Sequence, residues 1–187
     1  VFAYQPATLL VGETAQSIAF FANLDATYGD GPVELNATAG SGLPVSYASS
    51  DSSVAEVNGT QLIFRGAGAA VVTASQGGSA NYDPAADATA TVQVAPALLT
   101  VVAQGASKTY LAEVPQLTYD LVGFVHGEEA SALSELPSIA TTATASSPAG
   151  SYPVTVSGGT ADDYVFAYQP ATLLVGDTAQ SIAFFAN

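Results

Sequence analysis

VFAYQPATLLVGETAQSIAFFAN, residues 1–23, returns at residues 165–187 as VFAYQPATLLVGDTAQSIAFFAN. Over those 23 positions the one difference is Glu13 against Asp177, which conserves charge. Two near-identical segments 164 residues apart mean that the chain completes one period of a repeat and begins the next. A shorter period lies inside the long one. Thr27-Tyr28 and Thr109-Tyr110 are 82 residues apart, as are Asn81-Tyr82 and Asp163-Tyr164. Val72-Thr73-Ala74-Ser75 matches Val154-Thr155-Val156-Ser157 at the same offset, and Ala67-Gly68 matches Ala149-Gly150. The chain therefore reads as two diverged modules of one design. Each is at the small end of the domain range and must be stabilised by several strands and tight turns rather than by bulk.

The pattern between the repeats is that of an all-β protein. In residues 1–11, Phe2 and Tyr4 alternate with Val1 and Ala3 until Pro6 breaks the ladder. Strands are expected at 17–22, 33–38, 45–49, 54–57, 61–64, 69–75 and 88–94. Asn58-Gly59 between two of them is the strongest hairpin signal, pointing to a type I′ turn. Ala70, Val72 and Ala74 share one face of their strand. In the second half, strands are expected at 98–103, around Leu117, Tyr119 and Leu121, at 138–145, at Tyr152, Val154 and Val156, and at Tyr164, Phe166 and Tyr168. Residues 128–136 (EEASALSEL) form the one plausible helical turn. Short strands with turn residues between them indicate a β-sandwich in each module. Val94-Ala95-Pro96-Ala97 is a very short linker, which predicts an end-to-end arrangement with little freedom.

Composition excludes several functions. Two basic residues, Arg65 and Lys108, face sixteen acidic ones, for a net charge of −14. Nucleic acid and anionic membranes bind through clustered Lys and Arg, so neither is expected as a partner. No apolar run approaches the ~20 residues of a membrane span, so no direct membrane insertion is expected in this segment. No signal peptide is visible, because the chain opens inside a strand. The chain has no Cys, which removes disulfides and thiolate metal sites.

Particular residues then carry a resemblance. SKTY at 107–110, PQLTY at 115–119, GFVHGE at 123–128, GSYPVTVSGG at 150–159 and DYVFAY at 163–168 look like the MBG domain. That domain is a β-rich repeat of large bacterial surface and secreted proteins. TYGDGPVELNATA at 27–39, SGLPVSYASSDSSVAEVNG at 41–59 and GAGAAVVTASQ at 66–76 are similar to group 2 bacterial Ig-like modules of the invasin and intimin type. Leu111-Ala112 departs from the Gly-Asp that often follows Thr-Tyr, and Asp163 and His126 occupy positions where Asn is frequent. The expected fold is all-β, with two tandem Ig-like β-sandwich modules of about 82 residues. In that reading, 1–11 is the last strand of a preceding MBG-like module and 12–94 the bacterial Ig-like module. Residues 95–175 are the MBG-like module, and 176–187 start the next Ig-like one. The resemblance implies a stalk repeat of a giant bacterial surface adhesin: extracellular, non-enzymatic, and partnered by adjacent repeats of the same polypeptide or by neighbouring filament copies. A carbohydrate- or protein-binding adhesive module is the alternative. It predicts an exposed aromatic cluster, whereas the stalk predicts that the nine tyrosines are mostly buried or at module junctions.

Few residues suggest chemistry. His126, the one histidine, lies in Gly123-Phe124-Val125-His126-Gly127 and reads as a turn residue rather than an acid–base catalyst. Asp25 and Asp30, Asp83 and Asp87, and Asp162-Asp163 are the dense acidic spots, but none has the spacing of a calcium loop. Turn formation by Asp explains them without a metal; Asp162 and Asp163, near a module end, are the best calcium candidates. Lys108, the sole lysine, could serve an intramolecular isopeptide bond in one module at most and is expected in a surface ion pair. Tyr82 and Tyr164, at matching offsets, are expected to pin loops from the core rather than stack on sugars. Residues 165–175 should close the second module and bury Phe166 and Tyr168. Their copy at 1–11, and the segment 181–186 that copies 17–22, should pair with a neighbouring copy or their own adjoining module, with strand exchange between molecules as the alternative. The carboxylate spacing predicts that calcium is not needed for folding. A melting temperature that is the same with calcium, with chelator and with sodium at equal ionic strength would bear this out.

Overall fold

Alternate residues of the long strands are buried, whether the outward positions are mostly polar, as in ATATVQVA, or partly apolar, as in ALLTVVA. A computed structural model describes residues 12–177 of the chain. The expectations for 1–11 and for 181–186 lie outside the described residues. The chain divides into two compact units, Val1–Ala95 and Pro96–Asn187.

In the first unit, the described residues form β1 (Ile18–Ala19), β2 (Asn23–Thr27), β3 (Val33–Glu34), β4 (Thr38–Ala39), β5 (Ser46–Ser49), β6 (Ala55–Asn58), β7 (Gln61–Phe64), β8 (Gly68–Ser75) and β9 (Ala88–Ala95). One sheet runs β2-β9-β8-β5; facing strands form β3-β7-β6 and the short pair β1-β4. Ala70, Val72 and Ala74 are all buried, as the alternation predicts, and so are Ala90, Val92 and Val94 of the neighbouring strand and Leu62 and Phe64 of the other layer. Gly68, at φ 147, opens β8 because a Cβ there would lie 2.9 Å from a methyl of Val54.

The second unit holds β10 (Ala97–Ala103), β11 (Ala106–Thr109), β12 (Tyr119–Val122), a 3-10 turn at Ala130–Ala132, β13 (Ser138–Thr141), β14 (Gly150–Ser157), β15 (Tyr164–Gln169) and β16 (Ala171–Gly176). Its sheets are β12-β10-β15 and β11-β16-β14-β13. Val101, Ala103, Ala143, Val154, Val156 and Leu173 make the core between them. Gly123, at φ 120, follows β12 where a Cβ would meet the Leu98 carbonyl at 2.4 Å, so only glycine fits.

The short period is a structural repeat. β8 and β14 have the same length and lie 82 positions apart, and each pairs antiparallel with the strand that closes its unit. The sheet β2-β9-β8-β5 thus has the same order as β11-β16-β14-β13. The units differ where the first inserts the β6-β7 hairpin and the second carries the 3-10 turn.

Several expectations need correction. The strand expected at 17–22 is only two residues long, and the chain instead pairs through β2, whose NLDAT sequence shows little apolar character. β11, ASKT, was likewise hidden by its polar residues. The hairpin between β6 and β7 exists, but Asn58 pairs with Gln61, so the loop is Gly59-Thr60. Gly59 has φ 64 and Thr60 does not share the positive φ, which fits the type II′ pattern with Gly first rather than type I′. Residues 128–136 shorten to one 3-10 turn.

Candidate functional site

The feature common to both units is where their first and last strands meet. In the second unit, β10 pairs in parallel with β15, from Ala97 opposite Tyr164 to Val102 opposite Gln169. β11 pairs in parallel with β16, from Ala106 opposite Leu173 to Thr109 opposite Gly176. In the first, β2 runs parallel to β9, from Asn23 opposite Thr91 to Thr27 opposite Ala95. A lone parallel bridge, Thr14 to Tyr82, stands where the second unit has its β10·β15 seam. Parallel strands pulled from opposite ends slide along each other, so all the bonds of a seam resist together. Antiparallel strands pulled from one end would open bond by bond. Pro96 alone separates β9 from β10.

Polar side chains tie loops to these seams. Lys108, in β11, is not in a surface ion pair: it is buried, and its ammonium donates to the carbonyls of Ala112 (2.9 Å), Ala145 (3.0 Å) and Thr109 (3.3 Å). The apolar stem fills the module while the three donors satisfy a turn that returns through Leu111 at φ 66. With those donors taken up by carbonyls, the geometry is not that of an isopeptide bond. Arg65 does pair at the surface, with Glu56 at 2.7 Å.

Tyr164 opens β15 and is 5% exposed. Its hydroxyl donates to the Glu128 carboxylate and accepts the Val125 amide at 3.1 Å, and Phe124 packs edge-on to its ring at 5.4 Å. It thereby holds the loop that contains His126, as the loop-pinning expectation requires. Burial, reinforced by the Glu128 hydrogen bond, pushes its phenol up from 10.0 to about 12. Tyr82 is only half-buried, its backbone locked against Ser79. The loop-pinning tyrosine of the first unit is instead Tyr47, whose hydroxyl donates to Leu35 and accepts from Ala37. Nothing in its sequence position distinguished it.

The closing strands bury other residues than expected. Leu173 and Val175 are in the core with Tyr164, while Phe166 is half-buried and Tyr168 is 41% exposed. Tyr168 stacks on Phe166 at the sheet edge and donates to the Gly158 carbonyl. Of the described tyrosines only Tyr28 and Tyr164 are fully buried. Tyr47, Tyr82, Tyr119 and Tyr152 are half-buried and Tyr110 joins Tyr168 at the surface, so full burial holds for two of the eight described tyrosines, where the expectation placed most of them in the core or at module junctions.

The acidic candidates are dispersed. Asp30 accepts the Thr27 amide and Asp51 accepts the Ser53 amide and hydroxyl, both within their own turns. The Ser53 hydroxyl, more than its amide, holds the Asp51 carboxyl below the ordinary carboxylate value. Asp163 offers its carbonyl to Ala97, and Asp162 is exposed beside it. Among the described residues, no group of three or more His, Cys, Asp or Glu is gathered as a metal site. His126 lies exposed in a turn at φ 54. An open cleft of about 530 Å³ in the second unit is lined by Tyr119, Asp120, Phe124, Glu129 and Leu136, among others. No helix of the described residues is long and apolar enough to cross a membrane.

Comparison with known proteins gives a family match over part of the chain. Residues 99–174 match the family model described as the MBG domain (YGX type), which spans β10 to β16 of the second unit. No curated protein sequence matches the chain. Among solved structures, the D00-D0 domain of intimin is 13% identical, with 87% of this chain and 100% of that one covered at a TM-score of 0.33. The PKD domain of human KIAA0319 is 16% identical, with 50% and 93% covered at a TM-score of 0.33. Drosophila N-cadherin EC1-4 is 10% identical, with 90% of this chain but only 50% of that one covered at a TM-score of 0.38.

Two predictions test the polar ties. Lys108→Met keeps the stem but strips three carbonyls of their donor, an expected loss of about 3 kcal/mol. Calorimetry should show the second unit melting roughly 12–24 °C lower. The Tyr164 phenol should appear in an ultraviolet titration as one tyrosine ionising near 12 instead of 10.0, absent in Tyr164→Phe. Since the folded state holds that proton more tightly, its contribution to stability is complete below pH ~10 and is lost as pH rises through about 12.

Proposed function

We propose, from the MBG-domain match over 99–174 and the repeat that encloses it, that the chain is a structural repeat from the stalk of an extracellular bacterial surface adhesin. Its partners are the adjacent repeats of the same polypeptide, and its work is mechanical. The observation that carries this reading is the parallel seam between first and last strands in each unit. A stalk is pulled from its two ends whenever the tip is bound and the cell is dragged. That tension enters a unit through its first strands and leaves through its last. The seams meet it in shear, and Pro96 passes it from β9 to β10 without a slack tether. The many Ala, Thr, Ser and Val residues suit this role, because they give ladders of backbone bonds without a large apolar surface.

A binding role is the second reading. The cleft beside Tyr119 and Phe124, rimmed by Asp120 and Glu129, is the observation that favours it. A ligand there would be held by aromatic faces and carboxylates, and the unit would contribute adhesion as well as length.

Single-molecule stretching of the chain between two handles tests the mechanical reading. About 82 residues extended at ~3.4 Å each, less a folded length on the order of 40 Å, give roughly 24 nm of new contour per unit. Two separate rupture events of that size are expected. A smooth, low-force extension without discrete events would remove the case for a stalk.

A further inference from the structure

The three-stranded sheet of the second unit ends at β12, and that end is open. Among the described residues β12 pairs with β10 and with no other strand. The Gln104 amide donates to the Thr118 carbonyl at 2.9 Å, which sets the phase of the antiparallel ladder: Asp120 and Val122 exchange their bonds with Val102 and Thr100. Tyr119 and Leu121 therefore turn their amides and carbonyls away from β10, toward the free side. The cleft described above lies along that side. Its lining takes in Tyr119, Asp120 and Leu121 from the strand and Phe124, Glu129 and Leu136 from the chain beyond it. Tyr119 and Leu121 pack inward against the core, while Asp120 is exposed on the opposite face and accepts the Gln104 side-chain amide. The edge thus presents main-chain bonding groups, an apolar hollow on one face and a carboxylate on the other.

We infer that β12 accepts an added strand from a partner polypeptide, an extended segment that alternates basic and apolar residues. The inference rests on the second reading above, that the cleft binds a ligand, and it assigns that ligand. A strand laid beside β12 at about 4.8 Å satisfies the Tyr119 and Leu121 backbone groups, and main-chain bonds of this kind supply affinity without a deep pocket. Side chains of the added strand point alternately to the two faces of the sheet. Those on the face of Tyr119 and Leu121 enter the cleft toward Phe124 and Leu136, which calls for apolar residues. Those on the face of Asp120 lie beside its carboxylate, where cross-strand pairing favours Lys or Arg. Glu129, exposed on the rim, adds to the same preference. A second copy of the chain is the wrong occupant. Its two cations are Arg65, engaged with Glu56, and Lys108, buried on three carbonyls, and a net charge of −14 opposes self-association at an acidic edge. The carboxylates that bar self-pairing are the ones that select a basic partner.

Peptide binding to the whole chain tests it. The probe is a capped heptapeptide, TKVKVKT, set against its acidic counterpart, TEVEVET. The basic peptide should bind and slow hydrogen exchange at the Tyr119 and Leu121 amides, leaving those of Asp120 and Val122, already bonded to β10, as they were. The acidic peptide should do neither. Because Tyr119 and Leu121 pack on the core, the strand pairing is probed from the peptide side. N-methylating one alternate set of peptide nitrogens should abolish binding and the other set should leave it intact, since a strand bonds one neighbour through alternate residues only. Asp120→Asn combined with Glu129→Gln should weaken binding roughly tenfold at low salt. Binding that alters the Phe124 amide but not those of Tyr119 and Leu121 overturns strand addition while the cleft reading stands. Binding that survives both methylated sets equally overturns it as charge attraction alone. No binding of the basic peptide overturns it as well, leaving the cleft without a ligand and the carboxylates as a guard of the edge.

Discussion

The second unit depends on the arrival of β16 between β11 and β14. Both neighbours come earlier in the chain, and neither pairs with the other. Until Leu173 and Val175 enter, the four-stranded sheet exists only as a β13-β14 pair and a lone β11. Val101, Val154 and Val156 then have no complete apolar layer to pack against. The sandwich therefore cannot be assembled from local contacts. Loop closure across most of the module must precede the gain from burial, which is the circumstance in which β-sandwiches fold slowly. The first unit shares the constraint, with β9 inserted between β2 and β8.

Polar groups do what a small core cannot. Lys108 and Tyr164 each tie a loop to a terminal strand, one with an ammonium over three carbonyls and the other with a phenol between an amide and a carboxylate. In the first unit Tyr47 takes a comparable part through Leu35 and Ala37, and Gln16 links Gln76 to the Asp83 carbonyl. Buried side-chain nitrogen and oxygen atoms among the described residues all find a partner. Each tie fixes a loop position that apolar packing between Ala and Val would leave loosely specified.

The long strands were legible because their apolar period survives in the sequence. Ala70-Val72-Ala74 and Val154-Val156 alternate cleanly, and Gln61–Phe64 is bounded by turn residues on both sides. β2 and β11 were not legible. NLDAT and ASKT present one or two apolar residues each, and they are strands because a parallel neighbour supplies bonds from far along the chain. Lys108 looked like a surface residue because a buried lysine is rare and its partners are backbone carbonyls, which no side-chain pattern reveals. Tyr168 looked buried because it alternates with Tyr164 and Phe166. The alternation is real, but β15 is an edge strand and its far end leaves the core. For the candidate site, the shared offset of Tyr82 and Tyr164 pointed to a role that Tyr164 fills and that Tyr47, not Tyr82, takes in the first unit, whereas the parallel seams required the topology.

The lone Thr14–Tyr82 bridge of the first unit, set against the six-residue β10·β15 ladder of the second, makes the two units unequal partners. On the proposed stalk reading, the unit with the fewer seam bonds would yield first under a rising pull and release hidden length while its neighbour stays closed. Alternating weak and strong links along a repeated chain would turn each sudden tug into heat in stages, as a shock absorber does. In such a stalk the break would fall on backbone bonds that can re-form.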